Sequence, residues 1–286
     1  MNDTLTSSLL LKFDWNGKFT EIGSGDGVFS YIMHGGKFPL SFDRYLSVDL
    51  TKEDIFDTHQ STFRSNKILR FPKVVLSIDA KESHIVKVKE IGFSENSVRS
   101  FYEKLPLADS QCDNIFYYTA HGMLNHETSL KEAFRVLAPG GKLYILLYTE
   151  HVQKYFICYR LSKLLPGRAG SYFSQLDNGR ADEIGVYSKS TQEWEQLFSR
   201  LGLITLSRHQ GLSSIAWVAY DIQSRPFLKK MISFFNSYSA SYRTILKIIL
   251  MLLTYPMLVI FYLFFSNQYF KLHNDCYIAF ELGKPA

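Results

Sequence analysis

Residues 21–27 read Glu-Ile-Gly-Ser-Gly-Asp-Gly, three glycines at alternate positions behind a glutamate. Few short stretches restrict a fold so tightly. Lys18 to Ile22 carries β-formers, Gly23 to Gly27 breaks the pattern, and Val28 to Met33 resumes an apolar run. A strand that feeds a helix through glycines lets a ligand approach bare backbone and places it at the positive end of the helix. The order strand, tight turn, helix is that of a single βα unit.

The glycine spacing is G-x-G-x-G, not the G-x-G-x-x-G of dinucleotide sites. Glu21 stands two positions before Gly23. A carboxylate there repels a pyrophosphate and suits a cationic ligand group. S-adenosylmethionine carries an amino group and a sulfonium but no phosphate, so electrostatics favours it over NAD. A second carboxylate is expected at the end of the next strand, to hold ribose hydroxyls. Asp49 lies 26 residues beyond Gly23, close to the usual spacing. Asp79 instead ends the apolar run Val74 to Ile78, fit for a buried parallel strand, and precedes a helix-like stretch that stops at Gly92. Asp49 is followed by polar, irregular sequence, so Asp79 is the choice. Residues 34–72 then form an insertion between the first helix and the second strand, long enough for a functional lid.

Composition sets limits on partners. The chain has 286 residues, 46% of them hydrophobic and 21% charged, enough apolar material for a sizeable core. The net charge of +5 is mildly basic, and without a basic stripe or added module it does not point to nucleic acid. Cys112, Cys158 and Cys276 are far apart and lack metal-ligand spacing, so a reducing compartment and no metal are expected. The first 15 residues have no basic region before their short apolar run, and no signal peptide is expected.

Further along, "LPLADSQCDNIFYYT" leads into an apolar strand, "ETSLKEAFRVL" into an amphipathic helix with Leu130, Ala133, Phe134 and Leu137 on one face, and "APGG" stops it before the buried strand "KLYILLY". Taken in order, "EIGSGDG", "IDAKESHIVKVKEIGF", "LPLAD…CD" and "FRVLAPGGKL" resemble the class I S-adenosylmethionine-dependent methyltransferases. The likeness is to the branch acting on small molecules and lipids, the type 11-like group, and covers roughly residues 15–150. It implies an α/β fold with a doubly wound, Rossmann-like sheet of seven mostly parallel strands, the last antiparallel. It implies that Glu21, Gly23, Ser24, Gly25 and Gly27 hold the methionine part of the cofactor and that Asp79 binds the ribose. Where many members carry an acid for the adenine amine, this chain has Phe101 and Tyr102. These rings either stack on adenine or pack in the core. Thr119, after the fourth strand, completes the implied cofactor set.

Methyl transfer to a hydroxyl needs a general base, while other acceptors need only alignment and exclusion of water. His121 and His126 follow the fourth strand and His151 the fifth. His121 lies nearest its strand end and is the first candidate. Tyr148 and Tyr155 are candidate walls of an acceptor pocket. From residue 151 the chain reads as polar and irregular. Ser190 or Thr191 then caps a helix through Trp194, Leu197 and Phe198 to Gly202, and Leu203 to Ser207 reads as the sixth strand.

The last strand does not follow directly. Thr244 to Ser266 is almost wholly apolar, and only then does Cys276 to Leu282 alternate like a strand. Pro256 divides the apolar run into halves too short to span a bilayer. Two short helices are therefore expected, dipping into one leaflet or roofing the acceptor pocket, with Lys229, Lys230, Arg243, Lys247 and Lys271 facing anionic headgroups. The alternative is a buried hairpin or a dimer interface. The expected organisation is a core over residues 1–224, an apolar insertion over 225–272 and the last strand over 273–286. The expected protein methylates a small-molecule or lipid-like acceptor, cytoplasmic and in peripheral contact with the inner face of a membrane through residues 244–266. A cofactor-binding protein without turnover and an NAD-dependent oxidoreductase are the alternative readings.

Overall fold

The structure is a computed structural model that describes residues 6, 9–39, 42–45, 48–52, 54–58, 74–118, 125–222, 228–266 and 275–286, with backbone alone at 213, 228, 240, 257–258 and 261–266. In chain order the first part runs β1 (Phe19–Ile22), α1 (Val28–Met33), β2 (Val74–Asp79), α2 (Glu82–Ile91), β3 (Ser94–Arg99), β4 (Cys112–Tyr117), α3 (His126–Val136) and β5 (Leu137–Tyr148). A 3₁₀ turn (Val152–Tyr155) then leads to α4 (Ile157–Leu164), α5 (Gly167–Asp177), α6 (Arg180–Tyr187) and α7 (Thr191–Arg200). The chain ends with β6 (Ile204–Ser213), α8 (Ser214–Ile222), α9 (Leu228–Asn236), α10 (Ala240–Ser266) and β7 (Asp275–Gly283).

The seven strands form one sheet in the order β3-β2-β1-β4-β5-β7-β6. The pairs β1–β2, β2–β3, β1–β4 and β4–β5 are parallel. β7 runs the other way beside β5: Gly140 N–H donates to Lys284 O at 2.9 Å and Thr149 N–H to Cys276 O at 3.1 Å. The expected doubly wound sheet with an antiparallel last strand is the fold found. Every residue of β1 is buried, as an inner parallel strand requires.

Local sequence explains the elements around the sheet. Asn125 caps α3 by accepting Thr128 N–H at 3.1 Å, and Leu130, Ala133 and Val136 face inward. Ser190 and Glu193 form a capping box on α7. The segment before β4 is tied to α3: Leu105 N–H donates to Glu132 Oε2 at 2.9 Å, and Arg135 pairs with Asp109 at 2.7 Å.

Three readings of the sequence need correction. Residues 157–187 form three short helices rather than irregular chain. Each buries only one or two residues, Cys158 in α4, Gly170 and Asp177 in α5, and Ala181 and Ile184 in α6. The "APGG" stretch lies inside β5, at a register shift opposite Cys112 to Asn114, rather than only ending a helix. The apolar run is one 27-residue helix, α10, with Pro256 inside it, not two short helices. A proline costs a helix one hydrogen bond and a clash, about 3 kcal/mol, and strong helix formers on both sides hold the helix across it. Among the described residues no helix is long and apolar enough to cross a membrane.

The chain divides into two compact units. One comprises Phe13–Leu147, Ser190–His209 and Ala279–Ala286. The other comprises Met1–Lys12, Tyr148–Lys189 and Gln210–Ile278.

Candidate functional site

The glycine loop belongs to the first of these units. β1 delivers Glu21, whose side chain is fully buried. The Ser30 hydroxyl, two residues into α1, donates to Glu21 Oε1, while Oε2 has no hydrogen-bond partner. Burial drives the Glu21 pKa up to about 7, against the pull of the Ser30 bond and with added repulsion from Asp79. Ser24 is equally buried, and its Oγ also lacks a partner. Two polar atoms are thus withdrawn from water without compensation, which a fold tolerates where a ligand supplies the missing bonds.

Gly25 and Gly27 adopt φ of 57° and 76°, a region that disfavours other residues. At Gly27 an added Cβ would meet the Phe93 and Val88 side chains at 2.8 and 3.0 Å, so packing between α1 and α2 demands glycine. At Gly25 it would meet nothing within 4 Å. The space beside Gly25 is open to a ligand.

The four N–H groups of Gly23, Ser24, Gly25 and Gly27 are already used. Those of Gly23 and Ser24 donate to Ile78 O at 2.8 and 3.2 Å, that of Gly25 to Asp79 Oδ2 at 2.9 Å, and that of Gly27 to Ser24 O at 3.1 Å. A pyrophosphate site needs such amides turned outward. Here they are spent on Ile78 O, Asp79 and Ser24 O, so the loop favours a cationic, hydroxyl-bearing ligand over a phosphate.

Asp79 ends β2, beside β1 on one side and β3 on the other. Its Oδ1 accepts Lys81 N–H at 2.9 Å and lies 3.1 Å from His84 Nδ1. His84 Nε2 in turn lies 3.2 Å from Asp54 Oδ2, which Lys81 Nζ also meets. Burial would lower the His84 pKa, but its two carboxylate partners outweigh burial and hold it at about 9. The imidazole is charged at neutral pH. The Asp54 carboxyl is held well below its ordinary value, since His84 and Lys81 outweigh the opposing effect of burial. Asp49 lies outside the sheet in a turn, where its Oδ1 accepts from Thr51.

Phe101 and Tyr102 follow β3 directly, and the preceding Ser100 N–H donates to Asp79 O at 3.0 Å. Phe101 is 63% exposed, which removes the core-packing reading for that ring. Tyr102 stands edge-on to Tyr117, with centroids 5.8 Å apart. Thr119 and His121 lie outside the described residues. His126 packs edge-on against Trp194 at 5.0 Å, and His151 faces Glu150 at 3.6 Å. Among the described residues no group of three or more His, Cys, Asp or Glu is placed to hold a metal.

Sequence reasoning missed the strap across the loop. Arg44 forks onto Asp26, with Nε to Oδ2 at 2.7 Å and Nη2 to Oδ1 at 2.8 Å. Its guanidinium lies 4.0 Å over the Phe56 ring. Ser83 donates to Asp57, and Lys87 Nζ to Phe56 O. Charged residues in 43–57, inside the stretch read as an insertion, thereby fasten it to the glycine loop and to α2. The only signal in the sequence was the aspartate between Gly25 and Gly27.

The comparisons agree with this geometry. Residues 20–145 match a family model described as a methyltransferase domain. No curated protein sequence matches the chain. Among solved structures, a protein from Galdieria sulphuraria, proposed to be a sarcosine dimethylglycine methyltransferase, aligns over 99% of this chain and 85% of its own at 12% identity and TM-score 0.50. A SAM-dependent methyltransferase from Thermotoga maritima aligns over 73% of this chain and 75% of its own, at 17% identity and TM-score 0.45. One from Mesorhizobium loti aligns over 97% and 96%, at 11% identity and TM-score 0.47. At such identities the likeness is one of fold. With the strand order, the glycine loop and the family match taken together, residues 20–145 are a class I methyltransferase domain whose cofactor is S-adenosylmethionine.

Proposed function

We propose that the protein transfers a methyl group from S-adenosylmethionine to a small-molecule or lipid-like acceptor, at the inner face of a membrane. The observation that carries the cofactor half is the pair of buried carboxylates, Glu21 with an unpartnered oxygen and Asp79 at the end of β2. When bound, the cofactor supplies a sulfonium-activated methyl group for in-line displacement. Glu21 would accept from the cofactor's ammonium, and Ser24 Oγ would offer a second unused polar atom. Asp79 holds the ribose hydroxyls, and its fixed hydrogen bonds from Gly25 and Lys81 set the carboxylate plane in advance. Phe101 offers an exposed ring to the adenine, with Tyr102 next to it. Thr119 and His121, after β4, are carried as a cofactor contact and as the base for a hydroxyl acceptor.

The membrane half rests on α10. Ile245, Ile249, Met251, Leu252, Leu253, Tyr255 and Ile260 are between 48% and 70% exposed. A contiguous apolar surface of that kind usually has a partner. The surrounding residues 222–274 contain no Asp or Glu but do contain Arg225, Lys229, Lys230, Arg243, Lys247 and Lys271. Apolar surface framed by cations alone suits an anionic bilayer.

The test is a methyl-transfer screen with labelled cofactor against extracted anionic lipids and a panel of soluble metabolites. Label in a lipid or a small metabolite is the expected result. Label confined to protein or nucleic acid contradicts the acceptor class.

A further inference from the structure

Two cations stand at the start of α2, Lys81 as its N-cap and His84 in its first turn. The N-terminal end of a helix disfavours positive charge, so their place there has to be compensated. Glu82, in the same turn, is exposed to water. Two carboxylates from outside the helix supply the compensation. His84 Nδ1 lies 3.1 Å from Asp79 Oδ1, and its Nε2 lies 3.2 Å from Asp54 Oδ2, which Lys81 Nζ also meets. The side chains of Asp79, His84 and Asp54 are 5%, 10% and 31% exposed, so the three groups lead from a buried acid out to the surface.

Each oxygen of Asp79 is gripped from a different element. Gly25 N–H, from the glycine loop, donates to Oδ2 at 2.9 Å, while Lys81 N–H and His84 hold Oδ1. A neutral histidine carries one ring proton and serves one acid as donor; the imidazolium serves both. Despite burial, the two carboxylates keep the ring charged at neutral pH. Its charge also stands beside two acids that repel each other, Asp79 and Glu21. Asp79 ends β2, and open α/β sheets bind ligands beyond the carboxyl ends of their strands. The imidazole is thus placed behind the carboxylate, on the side of Asp54 and α2.

We propose that His84 is a positioning residue for the cofactor's ribose: it holds the Asp79 carboxylate in the plane that accepts the hydroxyls, and Asp54, from the strap, holds His84 in turn. The proposal rests on the assignment of Asp79 to the ribose made above. Its effect passes along Asp54, His84 and Asp79 and reaches the ligand only through the ribose hydroxyls. That route separates it from a general structural role, which would act on every ligand of the site alike.

The full-length protein is titrated calorimetrically with S-adenosylhomocysteine, the demethylated cofactor, and with its 2′,3′-dideoxy analogue. The two differ only in the ribose hydroxyls. The wild type should bind the first about tenfold more tightly or better, an ordinary return for hydrogen bonds to a charged group. His84→Ala should remove most of that preference by weakening the hydroxylated ligand, with affinity for the dideoxy analogue unchanged. His84→Asn, whose amide can stand in for the Nδ1–H donor without the charge, should recover part of it. Asp54→Asn should lower the preference severalfold, and it carries the test if His84→Ala does not fold, because Asp54 is partly exposed. Equal losses for the two ligands, or a preference undiminished in His84→Ala and Asp54→Asn, overturns the role of His84 alone. Wild-type protein that binds both compounds without preference overturns the assignment of Asp79 to the ribose, and this proposal with it. Wild-type protein that binds neither overturns the cofactor reading as well.

Discussion

Glu21 shows how one side chain ties the fold to its ligand. Its pKa of about 7 compares with 4.5 for a free carboxyl, and burial is the main cause. A raised carboxyl pKa means that the folded state holds the extra proton between the two values. Stability should therefore fall as pH rises from 4.5 to about 7, by on the order of 3 kcal/mol from this group alone. Chemical denaturation across that range should show this loss in the wild type and not in Glu21→Gln. A cationic cofactor prefers the charged form, so its affinity should rise roughly tenfold between pH 5.5 and 7.5 and stay flat in the variant. A flat wild-type profile would remove Glu21 from the site. Asp79 gives a second residue-scale test. Asp79→Ala should weaken S-adenosylmethionine by about 1–3 kcal/mol, the loss of charge-assisted bonds to two hydroxyls, and Asp49→Ala should do little. The reverse ranking in a binding titration would overturn the assignment. The placement of Asp79 at a strand end was legible because an apolar run of β-formers ends at it. The second carboxylate on its partner His84 was not. Asp54 and His84 stand 30 residues apart in the sequence, and nothing local in either stretch announces the pairing.

Among the elements, α10 departs furthest from what its sequence suggested. Its composition was readable and its continuity was not, because a proline in a helix interior marks a break only when the flanking turns are weak. If the helix lies on an anionic bilayer, its exposed side chains supply most of the attraction. Leu252 and Leu253 are 70% and 67% exposed. Burying an apolar side chain of this size contributes about 1.5–3 kcal/mol. The protein should co-sediment with vesicles containing phosphatidylglycerol and much less with neutral ones. Replacing Leu252 and Leu253 with Asp should release it while cofactor affinity holds. Equal recovery with neutral vesicles, or no sedimentation at all, would remove the bilayer as the partner. The helices of residues 157–187 were harder to read: α4 spaces Ile157, Leu161 and Leu164 at helical intervals, but the run is only eight residues long and no side chain caps its start.

For the molecule as a whole, the sheet was the most legible level. Glycine loop, "LPLAD…CD" and "APGGKL" occur in the order that the parallel strands require, and the alternating "DCYIAFEL" marked β7 across the apolar stretch before it. The central claim joins this fold to one ligand, and a calorimetric titration tests it most directly. Wild-type protein should bind S-adenosylmethionine with one saturable site and show no saturable binding of NAD. Gly25→Val should abolish that binding with the fold intact by circular dichroism, because its side chain would enter the space now open beside the loop. Saturable NAD binding, or unchanged S-adenosylmethionine affinity in folded Gly25→Val, would contradict the account.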